Sequence, residues 1–132
     1  MSGHNLVKEF HETFGLPVLT EPQIPSEDRI ELRKKLLREE VEEFCDALDE
    51  GNIAHAAKEL ADILYVAYGA GHEIGVDPEY VMELVHENNM TKVWDDGKVH
   101  YREDGKVLKP DNFEPLTDED ISAHLFFYQF FI

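Results

Sequence analysis

The chain has 132 residues, and its 29 acids against 12 Lys and Arg leave a formal net charge of −17. That excess argues against non-specific binding to DNA, RNA or an anionic membrane, and no apolar run approaches the ~18 residues of a transmembrane helix. Length and a hydrophobic share of 42% fit one modest globular domain over residues 1–132.

The opening "MSGHNLVKEFHE" lacks the basic-then-apolar order of a secretory signal, and the lone Cys45 can form no internal disulfide, so a cytoplasmic setting is expected. Leu6, Val7, Phe10 and Phe14 lie on one face of a first short helix ended by Gly15. Three prolines in "LPVLTEPQIPSED" predict an extended loop. Ser26 then caps a long helix from about Asp28 to Glu50, with an acidic first turn and Gly51 as its stop. Asn52 caps a third helix reaching about Ile74. Asp77 and Pro78 open a fourth that runs to about Lys92.

Beyond Trp94, "DDGKVHYREDGKVLKP" carries two Asp-Gly turn signals between short β-branched stretches and predicts a small hairpin. "TDED" from Thr117 is a capping box for a last short helix. The aromatic tail "HLFFYQFFI" is expected to pack on the core or on a second subunit. The fold expected is therefore all-α: an antiparallel helical bundle with its core at about 28–94, and a small C-terminal β-hairpin extension and tail over 95–132.

The acids of the two long helices are unevenly placed. At about 100° per residue, Ile30, Leu37, Val41, Phe44 and Leu48 form the core stripe of the second helix, whereas Glu42, Asp46 and Asp49 lie opposite, in water. Glu40 and Glu43 fall at the stripe's border. In the third helix Ile53, Ala56, Leu60, Ile63, Leu64, Ala67 and Ile74 share an apolar face, and Glu59 and Asp62 border it. Glu43 and Glu40 stand eight and eleven residues before Gly51, and Glu59 and Asp62 the same distances after it. If the turn at Gly51-Asn52 folds the helices back antiparallel, the two acid pairs face each other at one height.

Four carboxylates at a half-dry border repel one another unless they take up protons or bind a cation. A hard divalent ion with oxygen ligands fits, Mg²⁺ above all because it keeps waters that a phosphate can replace. Ordinary ion pairs to Arg33, Lys34 or Lys58 are the plainer alternative.

"EEVEEF" followed by "KELAD" resembles the E-x-x-E … E-x-x-D signature of the all-α nucleoside triphosphate pyrophosphohydrolases, a superfamily that includes MazG proteins and phosphoribosyl-ATP pyrophosphohydrolase. "LLREEVEEF", "KELADILYVAYG", "HENNMTK" and "DGKVLKPDNFEP" extend the likeness over about residues 28–115. The resemblance implies a Mg²⁺-dependent enzyme, with Mn²⁺ able to substitute, that cleaves a nucleotide's phosphate chain and releases pyrophosphate, in a house-cleaning role. It implies Glu40, Glu43, Glu59 and Asp62 as metal ligands and Glu39 or Glu43 as the base. Asn89 and Lys92 would contact the nucleotide, and the chain would be a homodimer or homotetramer. Tyr65 and Tyr68 are either base-stacking rings or core aromatics.

Two other readings compete. A ferritin-like di-iron protein needs two Glu-x-x-His motifs, and only Glu83-Leu-Val-His86 is present. A non-enzymatic acidic mimic of DNA suits the charge, but such a mimic spreads its acids over wet surface instead of setting them beside apolar stripes.

Overall fold

The computed structural model describes the backbone of residues 2–130 and the side chains of residues 2–126. It contains helices α1 (Gly3–Phe14), α2 (Glu27–Asp49), α3 (Ile53–Ile74), α4 (Pro78–Asn89) and α5 (Asp118–Phe130), with no sheet among the described residues. The chain divides into two compact units, Met1–Pro78 and Glu79–Ile132.

In the first unit the caps expected from the sequence mostly form. Ser2 Oγ accepts from the Asn5 amide, and the Asn52 carboxamide oxygen accepts from that of His55 at 3.0 Å. Ser26 holds the cap position of α2 with extended backbone but makes no side-chain bond, which leaves the acidic Glu27 and Asp28 to favour that helix end. Gly51, in the left-handed conformation at φ 68°, turns the chain so that α3 returns against α2. Gly75 is left-handed too, and the Glu21 backbone occupies the space a side chain would need there. The proline-rich loop lies along the end of α3, with Leu19 N donating to His72 O at 2.8 Å and Gln23 N to Ile74 O at 2.9 Å.

The buried faces match the apolar stripes only in part: Ile30, Leu37, Phe44, Ile63 and Ala67 are half-buried. Val7, Ala47 and Ala56 are buried, together with the polar His11, Glu59, His72 and Glu73. Val41 and Leu48 of the expected α2 core face, and Ile53, Leu60 and Leu64 of the expected α3 face, are instead exposed. The helices meet on the flank that carries Glu40, Ala47, Ala56 and Glu59, because small alanines let the backbones approach there while the branched side chains point outward.

The second unit joins α4 to α5 through Tyr80 and His124. Their rings stack at 4.0 Å, Tyr80 OH donates to His124 O, and His124 Nε2 donates to Tyr80 O at 3.0 Å. The capping box of α5 is reciprocal: Asp120 N donates to Thr117 Oγ1 and Thr117 N to Asp120 Oδ2. The expected β-hairpin is corrected here. Two tight turns form, closed by Gly97 N to Trp94 O and Gly105 N to Arg102 O, each at 2.8 Å, but only Tyr101 and Val107 pair across, as one isolated antiparallel bridge. Asp96 and Asp104 carboxylates take the amides of Lys98 and Lys106, so the turns are locked by local side-chain bonds and no ladder extends from them. Of the aromatic tail, the side chains of residues 127–132 lie outside the described residues.

Candidate metal centre

The antiparallel return at Gly51 brings Glu40 and Glu43 of α2 to Glu59 of α3, and one carboxylate oxygen from each lies within 4.8 Å of the others. Glu59 is buried, Glu40 half-buried and Glu43 exposed, so the cluster opens on one side to solvent. Glu59 Oε1 accepts from His55 Nε2 at 3.1 Å and Lys58 Nζ at 3.3 Å. Its other oxygen, and Glu40 Oε2, are buried with no hydrogen-bond partner apart from the neighbouring carboxyl groups.

These carboxylates perturb one another's protonation. Burial first, and then repulsion from Glu43 and Asp62, push the Glu40 carboxyl up to about 7. Glu43 is raised by its hydrogen bond with Glu59 and by desolvation. Burial works to raise Glu59, but hydrogen bonds with Glu43 and Lys58 outweigh it and hold that carboxyl low. Without a cation Glu40 is therefore only partly ionised near pH 7.

The donors fit a hard divalent ion. They are all carboxylate oxygens, two of them buried with only neighbouring carboxyl groups as partners, and their 4.8 Å span compares with about 4.2 Å across a Mg²⁺ octahedron. Asp62 borders the cluster but is turned to Lys58, whose ammonium lies 2.7 Å away. Lys58 is thus the one cation of the three expected alternatives that engages these acids: Lys34 pairs with Glu31, and Arg33 with Glu73. Glu39 is not brought in; it faces solvent and pairs with Lys35 at 4.0 Å. Among the described residues no histidine supplies an atom to the cluster, unlike the Glu-x-x-His sets of a di-iron site.

Asn89 and Lys92 belong to the second unit. Asn89 is the exposed last residue of α4 and its carbonyl accepts from the Lys92 amide at 3.2 Å. The Lys92 ammonium sits 5.7 Å above the Phe113 ring. In the first unit Tyr68 packs its ring over Gly3, a core role, whereas Tyr65 is 40% exposed and meets Phe10 edge-to-face at 5.5 Å. Beside the cluster a cavity of about 280 Å³ is lined by Glu40 and Asp62 as well as Phe10, His11, Arg33 and Tyr65.

Sequence reasoning missed a second charged group in this unit. Glu73, 1% exposed, binds the guanidinium groups of both Arg29 and Arg33, and Arg33 Nη2 donates to His11 Nε2 at 3.2 Å. Its signal was Glu73 itself, an acid in the last turn of α3 after a run free of formal charge from Ile63 to Gly71.

An all-helical core with E-x-x-E and E-x-x-D acids facing each other across an antiparallel pair is the plan of the all-α NTP pyrophosphohydrolases. The sequence model of phosphoribosyl-ATP pyrophosphohydrolase matches residues 7–89, which include all four acids, and the chain belongs to that family. A curated relative, an uncharacterized protein of Acanthamoeba polyphaga mimivirus, is 36% identical over 83 residues, 60% of this chain. The chain spans about a third (33%) of that relative's length. Among solved structures, one from Exiguobacterium sp. 255-15, provisionally named an NTP pyrophosphohydrolase, matches over 98% of this chain and 96% of its own at 25% identity and a TM-score of 0.48.

Proposed function

We propose that the protein is a Mg²⁺-dependent pyrophosphohydrolase that cleaves a nucleoside triphosphate, or a related nucleotide, and releases pyrophosphate. The observation that carries the reading is the convergence of Glu40, Glu43 and Glu59 within the segment that matches the family. Glu40, Glu43, Glu59 and Asp62 would hold the cation, with Mn²⁺ able to replace Mg²⁺. When bound, the cation supplies positive charge that neutralises phosphate oxygens and acidifies the attacking water.

The chain's own groups do the rest. Buried Glu59 is fixed by His55 and Lys58, which orients its free oxygen into the cluster. Glu43 is exposed and its proton affinity is raised, so it is the better placed of the two proposed bases to take the water's proton; Glu39 points away. Asn89 and Lys92 are proposed nucleotide contacts. The exposed apolar residues of α2 and α3 (Val41, Leu48, Ile53, Leu60 and Leu64) support a homodimer or homotetramer. No helix among the described residues is long and apolar enough to cross a membrane, and a cytoplasmic house-cleaning role is part of the proposal.

A panel of nucleotides with Mg²⁺, read by pyrophosphate release, tests this. Turnover of at least one nucleotide, abolished by EDTA and lost in folded Glu59→Gln protein, is expected. Metal-independent binding to a basic protein with no hydrolysis would favour the acidic mimic instead.

A further inference from the structure

The cavity beside the acid cluster has two chemically distinct ends. Glu40 and Asp62 stand at one end and Arg33 at the other, and Arg33 lies seven residues before Glu40 on α2, about 10 Å along the axis. Across from it, Arg33 Nη1 would lie 2.5 Å from a Cβ on Gly69, so this glycine makes room for the guanidinium. Between the ends, Phe10 and Tyr65 provide aromatic walls. Phosphates held at the acid end would place a nucleoside's sugar and base along those walls.

The inner end offers hydrogen-bond donors only. His11 Nδ1 lies 2.7 Å from Pro17 O, which can only accept, so this nitrogen carries the proton and Nε2 is left to accept from Arg33 Nη2. Glu73 Oε2 accepts from Arg33 Nε. The guanidinium is therefore pinned at two positions while its Nη1 group has no acceptor among the described residues. A fixed donor edge on a side chain only 11% exposed favours a ligand that brings an acceptor.

Resting on the pyrophosphohydrolase reading, we propose that this cavity is the nucleobase subsite and that Arg33 selects bases carrying a ring carbonyl. Guanine, hypoxanthine, cytosine, uracil and thymine present such an oxygen. Adenine does not, and its amino group would set donor against donor. At about 280 Å³ the cavity matches one nucleoside, and the second phosphoribosyl group of phosphoribosyl-ATP would have to lie outside it.

The test compares kcat/KM for ITP and ATP, which differ by carbonyl against amino at one ring position, alongside GTP, CTP, UTP and phosphoribosyl-ATP, all with Mg²⁺. At least a tenfold preference for ITP over ATP is expected, with phosphoribosyl-ATP poorer than GTP. The ITP/ATP ratio should fall within threefold of unity in Arg33→Lys. Leu36→Trp, which fills the cavity from its α2 wall, should raise nucleotide KM at least tenfold. If Arg33→Lys does not fold, the wild-type ratio and the Leu36 variant decide. Hydrolysis of ATP and ITP at equal efficiency, or efficient cleavage of phosphoribosyl-ATP, overturns this proposal and leaves the pyrophosphohydrolase reading standing. No pyrophosphate from any nucleotide overturns both.

Discussion

Replacing Glu40 by Gln should stabilise the metal-free protein while disabling its proposed chemistry. The Glu40 carboxyl is pushed up to about 7 from an ordinary 4.5 by burial and by its acidic neighbours, so its ionised form is disfavoured in the folded state. Each pKa unit is worth about 1.4 kcal/mol, but Glu40 is only partly buried and solvent screening trims the effect to roughly 1–2 kcal/mol. For a domain of this size that corresponds to a melting-temperature rise of about 3–8 °C.

The pH dependence carries the sign. A carboxyl with a raised folded-state pKa leaves wild type unpenalised below 4.5, and stability is lost as pH rises through 7. The advantage of Glu40→Gln in EDTA should therefore be full at pH 8 and absent near pH 4.5, where the wild-type side chain is protonated and nearly isosteric. Saturating Mg²⁺ should reverse the order, since a hundredfold excess over Kd stabilises a binding protein by about 2.7 kcal/mol. Thermal melts followed by circular dichroism, in EDTA and in Mg²⁺, measure both effects. A variant that melts at or below wild type in EDTA at pH 8 would show that the acid cluster is not under repulsion, and the case for a compensating cation would fail.

Three further outcomes are expected. Mn²⁺ affinity, followed by electron paramagnetic resonance, should weaken about tenfold per unit as pH drops below 7, because Glu40 must lose its proton to bind; a flat profile between pH 6 and 8 would remove Glu40 from the ligand set. Glu73→Gln should cost about 3–5 kcal/mol in urea unfolding, since it leaves the Arg29 and Arg33 charges without their buried partner; a loss under 1 kcal/mol would contradict that pairing. Gly75→Ala should destabilise more than Gly51→Ala. Both residues are left-handed, at a cost of about 1–2 kcal/mol, but only at Gly75 does a neighbouring backbone fill the space. Equal losses would mean that the Glu21 loop yields freely.

Much of the site was legible because its geometry is nearly local. The matched offsets of eight and eleven residues about Gly51 needed only a reversing turn to bring Glu40, Glu43 and Glu59 together. Asp62, at the same height, is turned to Lys58, a partner one helical turn away on its own helix. Glu39 was legible as an acid but not as an outward one until α2 settled on its flank: a residue adjacent to Glu40 sits about 100° round the helix.

By itself the sequence determined the helices, their glycine stops, most of their caps and the common height of the acids. Those depend on hydrogen bonds and periodicity within a few residues. Tertiary structure decided which flank of each helix is buried: the alanines and Glu59 lie inward, and Val41, Leu48, Ile53, Leu60 and Leu64 outward. It also decided that Arg33 serves Glu73, forty residues away, and not the acid cluster. An apolar stripe or a charge states that a partner is needed. Which partner it meets depends on the elements that pack beside it, and no local pattern encodes that.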